Sequence, residues 1–484
     1  MVDYVQLHDD GPGKRVACTL DGDGSYVQHV KSFISDGAGT ANTKQLGTQL
    51  TTADVGLVTN TIIHGLCSTG HTNEYVDVKA THSGALLTDS TLSGGWSESK
   101  PYQVAGDTSG RFRVAQLTTL FDGKIYNAEN TFKWDTKGTG TASYSANTIN
   151  LSVTSGQYVI RQARSFSPYF SGKPQVIEMT HSGFANEANV VKRFGYFSSN
   201  AVAPYDSSKD GWWIEADGST YRLICSNLGT ETHNIPWTSW DAYKDIDGYD
   251  WSKFTVVMVD FLWLGGAGLR LFLVVDGVFK LVHTIDNHAG YQAGIIFNNP
   301  NQPVRYEIRS STGAGSFRAI CSQVATEGTT GTNEQGEGLA IYTPKIACNS
   351  IGTVYALCGV RKVAAYRNHF VPLAEFGGAN VLSTATPESG ILMILLNPTL
   401  SAPLSWAANS RIETAIATTQ TITNVGRIVK AVPVSGGSVQ TNAPNAALRT
   451  LGVGIDNTMG ELILAYTPLT TNQDFSGVMQ VLEY

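Results

Sequence analysis

Charge is scarce in this chain of 484 residues. Asp, Glu, Lys and Arg together make up 15% of it, against roughly 25% in an average globular protein. Basic residues number 33 against 40 acidic ones, for a net charge of −7, and no lysine/arginine cluster stands out. Nucleic acid is therefore not an expected partner, because its binders carry a basic face. Cysteine is also sparse: Cys18, Cys67, Cys225, Cys321, Cys348 and Cys358 form no CxxC and no close-spaced framework. Reduced, mostly buried thiols are expected. Long apolar runs are missing as well. The longest, Phe254 to Phe279, is interrupted by Asp260, Arg270 and Asp276, which argues against membrane insertion and for two strands joined at Gly265-Gly266-Ala267-Gly268. The first ten residues lack the basic and apolar regions of a signal peptide, so synthesis in the cytoplasm is expected. Finally, there is no Gly-x-x-x-x-Gly-Lys-Ser/Thr, no Gly-x-Ser-x-Gly and no His-Glu-x-x-His. The expectation is a protein that is not an enzyme and needs no cofactor.

What the chain has instead is 42% hydrophobic residues, 10% aromatics, 50 glycines and abundant Ser, Thr and Asn. This is the composition of strands joined by tight turns, and it excludes disorder. Alternation of period two recurs: Ile149, Leu151 and Val153 with Asn150 and Ser152, and Val304, Tyr306 and Ile308 with Arg305, Glu307 and Arg309. Each predicts a strand with one buried and one wet face. The fold class is all-β with several domains: a central jelly-roll-like β-sandwich and a C-terminal β-sandwich. Composition divides the chain into an N-terminal β domain (1–97), a linker or small β region (98–155), the central sandwich (156–337) and the C-terminal sandwich (338–484). Within the second part, Lys137 to Tyr144 reads as an exposed connection. The third holds six of the nine tryptophans.

Several constellations could carry chemistry. Trp212, Trp213, Tyr221, Trp237 and Trp240 could stack sugars from a concave sandwich face, or serve as core or subunit contact. Neighbouring Trp212 and Trp213 must face opposite sides of one strand. Asp241, Asp245, Asp247 and Asp250 surround Gly248, and Asp245, Asp247 and Asp250 are the candidate calcium ligands, a solvated turn being the other reading. His64, Cys67, His71 and His82 could supply zinc ligands but match no common finger spacing. Glu215 and Asp217 are spaced as paired carboxylates on one strand face. Thr220 stands where a general acid would be needed, and Asp217-Gly218-Ser219 also reads as a hairpin turn. Gly390-Ile-Leu-Met-Ile-Leu-Leu396 is apolar at six successive positions, so that strand must be covered on both faces. A second subunit over Met393 and Leu395 is the expected cover, with the preceding domain as the alternative.

A resemblance adds to this reading. Phe194-Gly-Tyr-Phe197, Gly211-Trp-Trp-Ile-Glu-Ala-Asp-Gly-Ser-Thr-Tyr221 and Phe254-Thr-Val-Val-Met-Val-Asp-Phe-Leu-Trp-Leu-Gly265 resemble a family of bacteriophage virion structural proteins. Leu271-Phe-Leu-Val-Val-Asp-Gly277, His283 to His288, Pro303 to Ile308 and Ile394 to Leu400 continue the likeness. Tyr75 to Leu86 is similar to a segment shared by many phage head and tail proteins. The resemblance implies a non-enzymatic decoration or fibre component assembled in the host cytoplasm. It would sit on the capsid or tail, partnered by virion proteins and by itself as a homotrimer, with residues 1–97 facing the particle. The alternative is an adhesin (a receptor-binding tail protein) whose central sandwich binds host surface polysaccharide. A depolymerase using Glu215 and Asp217 is the third reading.

Overall fold

The computed structural model describes residues 116–125, 128, 130–199, 205, 208–263, 268–285, 294–328, 337–369, 371, 373–380, 389–435, 438–442 and 451–483, with short strands between residues 2 and 87. The chain separates into two compact units, Met1–Gly95 and Trp96–Tyr484. In the first, Val2–Gln6, Arg15–Leu20 and Tyr26–His29 pair as an antiparallel three-stranded sheet. His64, Cys67, His71 and His82 lie outside the described residues.

The second unit is built of antiparallel sheets with very little helix. Tight turns set its registers. Ala146-Asn147, Leu228-Gly229 and Asp276-Gly277 all have positive φ and link strands directly. That is the two-residue hairpin geometry whose twist matches that of the strands. The hairpin Leu269–Val275 to Val278–Ile285 turns on the Asp-Gly pair, and Thr255–Phe261 pairs with Leu269–Val275 as the broken apolar run predicted.

Two sheets form the central sandwich. One orders Thr141–Ser145, Thr148–Val153, Gly315–Glu327, Gln175–Ser182, Thr255–Phe261, Leu269–Val275 and Val278–Ile285, with Leu117–Asp122 also on Gly315–Glu327. The other orders Thr230–Pro236, Tyr221–Asn227, Lys209–Ala216, Val190–Ser199, Val304–Ser310, Tyr158–Ala163 and Trp134–Gly138. Their inward residues, among them Ile177, Val257, Phe194, Ile214, Trp212 and Phe317, make one core. The stretch read as an exposed connection, Lys137 to Tyr144, lies in strands of both sheets, and Thr141–Ser145 is exposed along its length. Its partner Thr148–Val153 sends Ile149, Leu151 and Val153 into the core, as the alternation predicted.

The second alternating strand departs from expectation. Arg305 and Glu307, on the face read as wet, are fully buried. Arg305 donates to Glu307 Oε1 (2.7 Å) and to Gln162 (2.6 Å), and Arg193 donates to Glu307 Oε2 (3.1 Å) and pairs with Glu215. Burial works to raise the Glu307 carboxyl, but Arg305, Lys209 and Arg193 outweigh it and keep it below its ordinary value. A polar face can be buried when its charges satisfy one another.

The C-terminal sandwich follows. One sheet orders Glu337–Tyr342, Gln473–Glu483, Leu373–Asn380 and Ser438–Asn442, with Ile346–Cys348 against Gln473–Glu483. The other orders Ala407–Asn409, Ile412–Ile416, Tyr355–Lys362, Glu461–Pro468, Ser389–Leu396 and Arg427–Ser435. Leu392 and Ile394 face its core, while Met393 and Leu395 face the other way and are buried too. Their cover is the chain itself: Ile422, on a short ribbon of Thr399–Leu400 and Ile422–Asn424, packs on them with Val354 and Val425. Burial on both faces was legible. Met393 and Leu395 are thus covered by residues of the C-terminal sandwich itself, where a second subunit or the preceding domain was expected.

The two sandwiches touch. Val453 N donates to Arg164 O (2.7 Å), Ile455 N to Asp135 Oδ2 (2.8 Å), and Lys137 pairs with Asp456 (2.9 Å). Lys362 is buried with its ammonium 5.6 Å from the centre of the Phe166 ring. Cys225, Cys348 and Cys358 are buried free thiols, and Cys321 is free and exposed.

Candidate carbohydrate-binding site

A row of rings runs from the central core to its surface. His181, at the end of Gln175–Ser182, is fully buried, its ring 4.1 Å from Phe194 and 5.0 Å from Phe184. Burial, with Lys192 nearby, lowers its pKa to about 3, so the ring is neutral at ordinary pH. The buried Trp251 lies parallel to His181 at 6.2 Å and stacks on Tyr221 at 4.9 Å. Tyr221 meets Trp237 edge to face at 5.5 Å, and Trp237 meets Tyr243 in the same way at 5.3 Å. Trp251 is enclosed, whereas Tyr221, Trp237 and Tyr243 are half-buried.

The local sequence explains this gradient. Tyr221 opens the strand Tyr221–Asn227 on the same side as the core residues Leu223 and Cys225, at the end where the core runs out. The edge strand Thr230–Pro236 stops at a proline, which has no N–H to continue the ladder, and a single turn, Trp237–Ser239, follows. Trp240 folds back into the core and donates to Ile235 O (3.3 Å). The short helix Tyr243–Ile246 seats Ile246 in the core and leaves Tyr243 at the surface.

Polar groups lie at the Tyr221 and Tyr243 hydroxyls, and others hold the same strands on the opposite face of the sheet. Asn186 donates its backbone N–H to the Tyr221 hydroxyl (3.2 Å) and accepts from Gly218 N (3.2 Å). Lys192 holds the loop carrying Asn186, donating to Gly183 O (2.9 Å), Ala185 O (3.0 Å) and Glu187 (2.8 Å). Arg222 bridges Asp217 (2.9 Å) and Asn234 (3.3 Å), and Tyr243 donates to Asp247 (3.3 Å). Burial works to raise the Asp217 carboxyl, but hydrogen bonds from Ser219, Thr220 and Arg222 outweigh it and hold the group well below the usual carboxylate range. Half-exposed ring faces can stack on the C–H face of a sugar, and the amide of Asn186 and the carboxylate of Asp247 beside the Tyr221 and Tyr243 hydroxyls can hydrogen-bond its hydroxyls.

Of the five aromatic residues singled out in the sequence, the structure brings Tyr221 and Trp237 together at this surface. Trp212 and Trp240 are buried in the core. Trp213 points to the opposite side of its strand, as two adjacent residues must, but there it is buried against Phe197 (5.1 Å) and Ile224. None of these three offers a face to a sugar. Tyr243 and Asn186 were missed. Tyr243 lies among the aspartates read for calcium and was not considered as a sugar contact, and Asn186 reaches the rings only through the fold.

The calcium reading is corrected too. Asp245 pairs with Lys280 (3.1 Å), Asp247 accepts from Tyr243, and Asp250 accepts from Ser252 N (2.9 Å). Asp241 binds Thr284 N (2.9 Å). The helix and the turn at Gly248 splay the side chains, and among the described residues no three carboxylate, histidine or cysteine groups converge on a metal position. Glu215 belongs to the ionic face with Arg193, whereas Asp217 closes the hairpin turn between Lys209–Ala216 and Tyr221–Asn227. Arg222, which pairs with Asp217, stands opposite Glu215 in the register, so each carboxylate is held by a guanidinium group.

No protein-family model matches the sequence, and no curated protein matches it at a significant level. Among solved structures, it is similar to several lectin-type domains. The carbohydrate recognition domain of Emp47p is 15% identical, covering 44% of this chain and 98% of its own, with a TM-score of 0.30. The lectin from Bauhinia forficata, solved in complex with GalNAc, is 14% identical over 44% of this chain and 100% of its own, at 0.28. The exoplasmic/lumenal domain of VIP36 is 11% identical over 45% and 93%, at 0.29. The chain is an all-β protein with lectin-like sandwich neighbours.

Proposed function

We propose that this is a non-enzymatic carbohydrate-binding protein whose central sandwich holds sugar on the Tyr221–Trp237–Tyr243 surface, acting as an adhesin. The observation that carries the reading is the contiguous half-buried ring row, with Asn186 at the Tyr221 hydroxyl and Asp247 at the Tyr243 hydroxyl. Rings packed only for stability would be closed over, as Trp251 is. The test is binding of the purified full chain to a panel of bacterial surface polysaccharides. Trp237→Ala and Tyr243→Ala are expected to lose binding with the melting temperature held. Absence of binding by the parent chain, or full retention by both variants, refutes the proposal.

The virion-like segments, Phe194–Phe197, Gly211–Tyr221 and Phe254–Gly265 among them, support a second part of the reading: the module is carried on a phage particle. Antibody labelling of intact particles tests it, and a chain lacking residues 1–97 is expected to be left off them. Particles without label remove the virion part and leave the carbohydrate part standing.

A further inference from the structure

A second concave surface lies on the outer face of the eight-stranded sheet, built from different side chains. It is a cleft of about 250 Å³, and its lining includes Asn150, Ser182, Ser252, Ser316 and Arg318. Strand register explains the grouping. Arg318 stands opposite Asn150 on one neighbouring strand and opposite Ser182 on the other, and Ser316 stands opposite Ser152. Residues alternate across a strand, so these polar positions share the face opposite the core residues Leu151, Phe317 and Ala319. Gly183 lines the cleft at a φ of 73°, a conformation that favours glycine.

The charge balance is one-sided. No carboxylate lines the cleft, and Arg318, exposed at its centre, has no acidic partner among the described residues. Two carboxylates near the lining segments are engaged elsewhere: Asp250 by the Ser252 N–H (2.9 Å) and hydroxyl and by Lys253 (3.8 Å), and Glu187 by Lys192 (2.8 Å). An arginine fork among hydroxyl and amide groups matches the geometry of a carboxylate or sulfate. The cleft is smaller than the roughly 300–1,000 Å³ of sites for drug-sized ligands, which suits a single sugar unit. It also shares its walls with the ring row. Gly183 N donates to Ser252 O (2.9 Å) and Phe184 N to Trp251 O (3.0 Å), so the segments that place Phe184 and Trp251 in the row also place Gly183 and Ser252 in the cleft.

We propose that this cleft is an acidic-sugar subsite, in which Arg318 receives the carboxylate or sulfate of one saccharide unit while Asn150, Ser182 and Ser316 bind its hydroxyls. The proposal rests on the carbohydrate-binding reading and adds to it a class of substrate, anionic polysaccharide. The experiment is calorimetric titration of the full chain with neutral, uronate-containing and sulfated oligosaccharides of equal length, and with free glucuronate. The parent chain is expected to bind an acidic oligosaccharide at least about tenfold more tightly than the neutral one, the uronate and sulfate arms telling the two anions apart. Arg318→Gln removes that preference without changing neutral binding, Arg318→Lys keeps part of it, and Ser316→Leu, which fills the cleft, behaves like Arg318→Gln. Equal affinity for acidic and neutral sugars, or a preference that survives Arg318→Gln and Ser316→Leu, overturns the subsite and leaves the ring surface intact. Binding of glucuronate as tight as that of the oligosaccharide overturns the saccharide assignment in favour of a free carboxylate. Binding of none of the four overturns both proposals.

Discussion

The two sandwiches of the second unit solve the same packing problem with different materials. The central core is dense in rings, with Trp134, Phe184, Phe194, Tyr196, Trp212, Trp240, Trp251 and Phe261 all enclosed. The C-terminal core is mostly aliphatic, with Phe376, Tyr466 and Phe475 its buried aromatics. Each sandwich also has an outer sheet face that is buried. In the central one this face holds Arg193, Arg305 and Glu307, and in the C-terminal one it holds Met393 and Leu395 under the chain's own ribbon. The difference separates aromatic residues spent on stability from those left over. Where the core needs few rings, none extends outward as a connected row. Where it is built of rings, the row reaches the surface, and that surface can take a ligand.

The largest effect is expected from placing a charge under the C-terminal ribbon. Met393→Asp puts a carboxylate against Leu395, Ala465 and Ile422 with nothing to pair it, at a cost of several kcal/mol. Hydrogen exchange should show loss of protection throughout the C-terminal sandwich while the central strands stay protected. A folded, soluble variant of smaller size would instead restore the subunit interface. Next, Trp251→Ala removes the ring that joins His181 to Tyr221 and should destabilise the central sandwich by about 3–5 kcal/mol, measured by denaturant titration. It should abolish sugar binding as well, because Tyr221 loses its support.

The two halves should also respond to pH in different windows. His181 has its pKa lowered to about 3 by burial, against an ordinary value of 6.5. The unfolded chain therefore binds the extra proton first, and this stability is complete above pH 6.5 and lost as pH falls toward 3. At about 1.4 kcal/mol per unit, its ceiling is several kcal/mol. Lys362 is lowered by burial from 10.5 to about 7. Its contribution is complete above pH 10.5, falls as pH drops to 7, and is constant below. His181→Phe should flatten the acid limb of the central sandwich alone, and Lys362→Met should raise C-terminal stability at pH 7 and flatten the alkaline rise. A shared dependence, with both variants moving both halves, would mean that the sandwiches unfold as one. Smallest in stability is Trp237→Ala, expected within about 1 kcal/mol, although it removes binding.

What could be read from the sequence follows from which interactions are local. Alternation at Ile149–Val153 told which residues point inward, because a strand fixes its own two faces. At Val304–Arg309 it told the faces again but not their cover, since the partners of Arg305 and Glu307 include Gln162 and Arg193, far away in the chain. The run from Gly390 to Leu396 announced burial on both sides. It could not announce that a ribbon of ordinary composition, Thr399–Leu400 with Ile422–Asn424, supplies the cover. The aspartates near Gly248 are close in sequence, yet a four-residue helix and a turn point them apart. Trp212 and Trp237 look alike as letters, and only the end of the sandwich separates an enclosed ring from an available one.

Each sandwich opens and closes on the same strand pair. Leu117–Asp122 lies beside Gly315–Glu327, and Glu337–Tyr342 beside Gln473–Glu483. The consequence is one of timing. Roughly 200 residues separate the first partners, and a ribosome adding about 5–20 residues per second needs about 10–40 s to supply the second. For that interval Leu117–Asp122, and the edge of Thr148–Val153 not covered by its hairpin partner Thr141–Ser145, wait for Gly315–Glu327, open to any other strand. The composition of Thr141–Ser145, serine and threonine with one alanine and one tyrosine, then keeps the outer edge of that hairpin polar during synthesis as well as on the finished surface.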